Sequence, residues 1–329
     1  MKNLIYILTI LSCLVNAKQV KAQQIGLFSQ YVFNDYLVNP AIVGTKNFIP
    51  IHASVRRQWV GITEAPVSQQ ISSHAYTGQN FGIGGAIFNE ATGPTRRTGF
   101  NFSTAYHLVL KQQSRKDQLT LSFGLQGSLT QHILDKTQLT TYVPDDPTIA
   151  ASYNYQLIPD VGFGLYLRQS NKYYVGLSAL NLVQTKKDLY NLNNNVKNRL
   201  VRNYFLMGGM NFDFETQSRK LISVQPSLLF RMIEAMPMQF DINAKVTYDK
   251  TYWLGVGYRH NDAIVALMGV RVYQMLIGYS YDFTLSDLKS YSFGTHEIAL
   301  TFILNEGFTD RKKKKGFSPQ KYRPTVPSL

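Results

Sequence analysis

From Met238 to Asp249 the chain alternates without a break. Met238, Phe240, Ile242, Ala244, Val246 and Tyr248 share one phase, and Gln239, Asp241, Asn243, Lys245, Thr247 and Asp249 share the other. A period of two sustained this long specifies an extended strand, because successive side chains leave opposite faces. Phe100, Phe102, Thr104, Tyr106, Leu108 and Leu110 repeat the pattern against Asn101, Ser103, Ala105, His107 and Val109. Leu119, Leu121, Phe123, Leu125 and Leu129 do so against Thr120, Ser122, Gly124, Gln126, Ser128 and Thr130. Strands in soluble sheets usually run for about five to six residues. These are longer, apolar on one face and polar or small on the other, which fits a tilted crossing of a bilayer.

About fourteen such segments are expected, at 48–59, 67–76, 81–89, 97–110, 118–130, 160–168, 172–182, 203–215, 219–231, 238–248, 251–259, 263–272, 274–284 and 294–305. An even number returns the chain to its starting side, as a single-chain bacterial barrel requires. The connections alternate in length. The first set includes GITEAP, EATGPTR, the stretches 131–159 and 183–202, and LSDLKSYSF; the second is TGQN, KQQSRKD, RQSN, TQSR, DK and Y. Short turns on one side and longer loops on the other are the asymmetry of outer-membrane barrels, with the short turns periplasmic. The expected fold is therefore an all-β transmembrane antiparallel barrel over 48–305. Trp59, Tyr76, Phe81, Tyr173, Tyr174, Tyr252, Trp253, Tyr279 and Tyr281 fall near strand ends, where half-wet rings suit the headgroup level. Glycines at 82, 84, 85, 162, 164, 255, 257 and 278 lie within strands, at sites for sharp bends or close backbone approach.

Residues 1–22 have the form of a signal peptide. Lys2 is followed by an apolar core from Leu4 to Leu11, and cleavage is expected near Ala17 or Ala22. Cys13, the single cysteine, leaves with it, so the mature chain has no disulfide or thiolate chemistry. Leu11 and Ser12 ahead of Cys13 make a poor lipobox. The net charge of +14 is concentrated at the ends: Lys2, Lys18 and Lys21 go with the signal, and seven basic residues and no acid occupy the last nineteen positions. Removing those ten leaves about +4 for the body, so nucleic acid is not an expected partner. The tail over 306–329, with Lys312, Lys313, Lys314 and Lys315, is too polar and proline-rich to pack. It is expected in the periplasm, solvated or docked on anionic headgroups or an acidic partner.

No catalytic, metal or cofactor residue can be named. His52, His74, His107, His132, His260 and His296 are scattered, and His296-Glu297 lacks the second histidine of a zinc protease. GIGGAI at 82–87 lies in a strand pattern and opens no helix, and PDDP at 144–147 reads as a turn. The chain is expected to be no enzyme.

The blocks FSQYVFNDYLVNPAIVG (28–44), RRQWVGITEAPVSQQISSHA (56–75), NEATGPTRRTGFNFSTAYHLVL (89–110), YWLGVGYRHNDAIVALMG (252–269) and LIGYSYDFTLSDLKSYSFGTHEIAL (276–300), in this order, resemble the PorP/SprF family. The resemblance covers nearly the whole mature chain. It implies an outer-membrane barrel that works with the type IX secretion system of Bacteroidota, assisting export or surface attachment of cargo such as gliding-motility adhesins. Implied partners are outer-membrane lipid, the translocon or periplasmic ring components, and adhesin-type cargo, with loops 131–159 and 183–202 as candidate contacts. Two departures stand out: Glu64 where the family usually has glycine before Ala-Pro, and some two dozen residues after Leu304.

Residues 28–44 are too apolar and irregular for an exposed tail. Fatty-acid channels of the FadL type, also fourteen-stranded, carry an N-terminal hatch with an Asn-Pro-Ala motif inside the barrel, and Asn39-Pro40-Ala41 lies in a similar place. The resemblance implies that 23–47 form a plug burying Phe28, Tyr31, Phe33, Tyr36 and Leu37; a cap over the periplasmic mouth is the other arrangement. Pro40 is expected to stop helix and strand alike, with Asn39 extended before it. The FadL likeness also leaves open a channel for hydrophobic small molecules.

Overall fold

The structure, a computed structural model, describes residues 28–112, 117–135, 155–183, 201–234 and 237–304. The expected signal peptide, most of the stretches 131–159 and 183–202, and the basic tail with Lys312–Lys315 lie outside the described residues.

The described chain is almost entirely strand. In order the strands are β1 (Ile49–Arg57), β2 (Val67–Gly78), β3 (Phe81–Thr92), β4 (Thr95–Gln112), β5 (Gln118–Leu134), β6 (Tyr155–Gln169), β7 (Tyr173–Leu180), β8 (Asn203–Met210), β9 (Phe212–Glu215), β10 (Leu221–Ile233), β11 (Gln239–Tyr248), β12 (Tyr252–Arg259), β13 (Ala263–Val272), β14 (Met275–Thr284) and β15 (Thr295–Leu304). β8 and β9 both pair with β10 and are separated only by Asn211, so they are two halves of one crossing. All pairings are antiparallel between sequence neighbours. β1 pairs with β15 from Ile49↔Leu304 to Arg57↔His296, closing a barrel of fourteen crossings with no free edge.

Burial is inverted relative to a soluble sandwich. On β11 the buried residues are Gln239, Asp241, Asn243, Lys245 and Thr247, while Ile242 and Val246 are 52% and 42% exposed. On β15, Thr295, Glu297 and Thr301 are buried, and Ile298, Leu300 and Phe302 face out. Apolar side chains outside and polar ones inside are stable only where lipid surrounds the sheet. The protein is thus a multi-pass outer-membrane barrel.

At the rim where Ile49 and Leu304 meet, the connections are tight. Gln79-Asn80 and Asp249-Lys250 have positive φ at both residues, as two-residue hairpin loops matched to strand twist require. Short turns mark this rim as periplasmic. Two expected outer loops differ. Residues 131–134 and 155–159 of the stretch 131–159 continue β5 and β6 as strand. EATGPTR is not a loop: β3 continues to Thr92 and β4 starts at Thr95, leaving Gly93-Pro94 as the turn. Asn89, Glu90, Arg96 and Arg97 make both faces polar there, so the ribbon rises above the apolar band and lacks the alternation that marks a lipid-facing strand. Glu64, at the usual glycine position, has φ 59°, a left-handed conformation that glycine adopts freely. Its carbonyl accepts from Gly93 N at 3.1 Å, tying the first outer loop to this hairpin.

Candidate functional site

Residues 28–48 lie inside the barrel. They form three short 3-10 turns, Ser29–Val32, Asp35–Leu37 and Pro40–Ile42. Such a path leaves many backbone groups without ladder partners, and irregular backbone at membrane depth is stable only when enclosed by protein or water. Here the strands enclose it from every side. Asn34 Nδ2 donates to Ser72 Oγ on β2 (2.9 Å), and Tyr36 Oη to Ser103 Oγ on β4 (3.2 Å). Ser178 Oγ on β7 donates to Val38 O (2.6 Å), and Asn243 Nδ2 on β11 to Tyr31 Oη (2.8 Å). Tyr31, Tyr36, Val38, Ala41, Ile42 and Val43 are each no more than 3% exposed. Burial pushes the Tyr36 phenol up to about 12, against the hydrogen bond to Ser103, and raises that of Tyr31 further.

The Asn-Pro-Ala stretch docks on backbone. Asn39 is extended (φ −142°, ψ 113°) and Pro40 opens the third turn, so proline begins a turn here instead of only ending structure. Asn39 Oδ1 accepts from Ala41 N at 2.9 Å, a cap on that turn. Its Nδ2 donates to Leu165 O (2.9 Å) on β6 and Leu177 O (3.3 Å) on β7, residues that face each other in the ladder. Glycine makes this approach possible. A Cβ on Gly164 would lie 2.1 Å from Asn39 Oδ1, and one on Gly124 would lie 2.2 Å from Ala41 N.

The start of the segment meets charge. Ser29 N and Gln30 N donate to Glu297 Oε2 (2.7 Å) and Oε1 (3.1 Å). Arg56 bridges Asp282 (2.8 Å) and Glu297 (3.2 Å), and Arg259 bridges Asp241 and Asp282 (both 3.0 Å). Ser29 Oγ accepts from Arg56 Nη1 (2.7 Å) and Arg259 Nη2 (3.2 Å) and donates to Asp282 (2.8 Å). Two guanidiniums thus face three buried carboxylates, with the amides of the first turn supplying the extra donors. These side chains sit at the strand ends nearest the longer loops. The segment therefore runs from the outer end of the lumen down to Phe48 at the periplasmic rim.

Of the residues expected in a plug, Tyr31, Tyr36, Asn39, Pro40 and Ala41 are buried, and Phe28, Phe33 and Leu37 are half-buried. Phe33 packs against Trp253 in a tilted arrangement, with centroids 5.0 Å apart. Sequence reasoning missed Arg56, Asp241, Arg259, Asp282 and Glu297; their signal was charge on the inward phase of a strand. Two cavities flank the segment. An outer one of about 150 Å³ is lined by Phe28, Tyr31, Asn34, Leu37 and Val38 among others, and a periplasmic one of about 140 Å³ by Val32, Phe33, Asp35 and Lys46 among others. No residue lines both. Among the described residues, no group of three or more His, Cys, Asp or Glu is placed to hold a metal.

Similarity to solved barrels is low in sequence. The toluene transporter TbuX of Ralstonia pickettii is 10% identical, with 82% of this chain and 92% of that chain covered and a TM-score of 0.47. The CymD monoaromatic hydrocarbon channel is 13% identical, with 86% and 94% covered and a TM-score of 0.42. The KdgM porin in complex with disordered oligogalacturonate is 10% identical, with 77% and 98% covered and a TM-score of 0.34. No functionally curated protein matches the chain. Residues 20–302 match the family described as type IX secretion system membrane protein PorP/SprF, and the chain belongs to that family.

Proposed function

We propose that this barrel is a non-enzymatic accessory component of type IX secretion, which assists export or surface attachment of cargo such as gliding-motility adhesins through protein contacts. In this reading residues 23–47 are a plug, and the longer outer loops on the rigid wall meet cargo or translocon. The observation that carries it is the occupied lumen: the interior segment stands between two cavities that share no lining residue. An interior held by this many specific hydrogen bonds favours a scaffold for partners over an open conduit. Family membership supplies the secretion context, since a barrel alone does not specify activity. The test is affinity purification of the natively expressed protein and identification of what accompanies it. An adhesin or translocon subunit supports the reading, and recovery of lipid alone overturns it. Deleting 24–44 tests the plug separately: single-channel current should rise, and unchanged current removes the plug.

A channel for hydrophobic small molecules is the second reading, favoured by one feature of the wall. Among the described residues the β6–β7 ladder runs from Phe163 to Gln169, and beyond it Leu182 N donates to Val161 O (3.0 Å). Beside it a lipid-facing groove of about 370 Å³ is lined by Phe163, Leu165, Leu177, Leu206, Phe230 and Met232. Phe205 lines this groove and the outer cavity as well. If the groove is a portal, Phe205→Ala raises uptake of a hydrophobic dye into proteoliposomes; equal uptake rejects the portal.

A further inference from the structure

Lys245 is 4% exposed, projects into the lumen from β11, and lines the periplasmic cavity. Its ammonium lies 4.5 Å from the centre of the Phe33 ring. Among the described residues it makes no hydrogen bond and no ion pair. A buried cation is costly unless it is paired and hydrogen-bonded. The neighbouring charges are otherwise engaged: Lys46 with Asp35 (3.3 Å), Lys172 with Asp117 (3.0 Å), and Arg168 donating to Thr45 O (3.2 Å). The cavity that Lys245 enters is thus rich in positive charge, and its one carboxylate, Asp35, is already shared with Lys46.

We infer that this cavity is a binding site for a carboxylate carried on a short apolar stem and presented from the periplasm. Lys245 supplies the charge-assisted hydrogen bond that such a group takes up strongly. Phe33, Phe48, Tyr174 and Leu276 supply the apolar wall for the stem. The opening is placed by Ser170, Asn171 and Lys172, which form the short turn between β6 and β7 on the periplasmic rim. Its lining faces the lumen, so a bilayer headgroup does not reach it. The carboxylate belongs either to a free organic acid or to an acidic side chain of an extended peptide. This inference does not depend on the nature of the secreted cargo.

The test is isothermal titration of the full chain in detergent with hexanoate, with N-acetyl-Leu-Glu-Leu-amide, and with hexanol as the uncharged control. Saturable binding of at least one carboxylate is expected, weakened about tenfold or more by Lys245→Met and largely kept by Lys245→Arg. Tighter binding of the peptide assigns the site to a periplasmic protein segment, and tighter binding of hexanoate to a free acid. Absence of saturable binding by both carboxylates, or equal binding by Lys245→Met, overturns the inference. Should Lys245→Met fail to fold, the native protein still decides: hexanol binding as tightly as hexanoate overturns the site.

Discussion

The interior segment is fastened by different chemistry at two places. At the outer end, Ser29 and Gln30 meet side chains from β1, β12, β14 and β15, nearly all of them charged. On the wall formed by β5, β6 and β7, Asn39-Pro40-Ala41 meets carbonyl groups and the space left by absent side chains. The first anchor can be lost by removing one charge, because the partners are then buried and uncompensated. The second resists loss of any single group but tolerates no added volume. A charged anchor depends on identity, whereas a backbone anchor depends on shape.

Substitutions can test this contrast, and Arg56→Met should have the largest effect. It leaves Asp282 and Glu297 short of a partner, and breaking a buried pair costs about 3–5 kcal/mol. Urea titration of the folded band in detergent should show it, and a change below about 1 kcal/mol would mean that water compensates the cluster. Next is Gly164→Val, whose added atoms fall on Asn39 and Pro40. Overpacking of this kind costs about 1–3 kcal/mol, and it should expel the segment while strand content by circular dichroism is kept. Protease cleavage within 28–47 is the readout, and resistance equal to the native protein would show that the wall yields instead.

Asn39→Ala should cost about 1–2 kcal/mol, since Leu165 O and Leu177 O keep their neighbours in the ladder and only the segment loses bonds. Tyr36→Phe removes one hydroxyl and should cost about 0.5–1.5 kcal/mol. The native phenol has a raised pKa, so its contribution is complete below its ordinary value of 10.0 and is lost as pH rises through about 12. Protease protection measured from pH 9 upward should therefore fall less steeply in Tyr36→Phe than in the native barrel. Lys172→Gln on the exposed periplasmic turn should change nothing measurable.

The wall could be read from the sequence because lipid imposes a strict rule on every second residue. Thus the expected strands 238–248 and 118–130 lie within a few residues of β11 and β5. The rule stops where lipid stops, which is why the β3–β4 ribbon above the apolar band reads as a loop in the sequence. The charged anchor was hidden for another reason. Arg56, Asp241, Arg259, Asp282 and Glu297 come from five strands. The β11–β12 hairpin sets Asp241 opposite Arg259, but only closure of the β1–β15 seam brings Arg56 to Asp282 and Glu297. In the sequence each is an ordinary polar residue on the inward phase of its strand. Asn39-Pro40-Ala41 stood out in the sequence, but its receptor is made of carbonyls and glycines, which carry no side-chain signal.

Arg56 and Glu297 stand on either side of the seam where the first and last strands join. A barrel still open along that line holds them apart and leaves Arg56 without Glu297 and Asp282. Ser29 completes the arrangement only when it has already been drawn inside. Zipping the cylinder shut and drawing residues 28–48 inside therefore share contacts, so each arrangement favours the other.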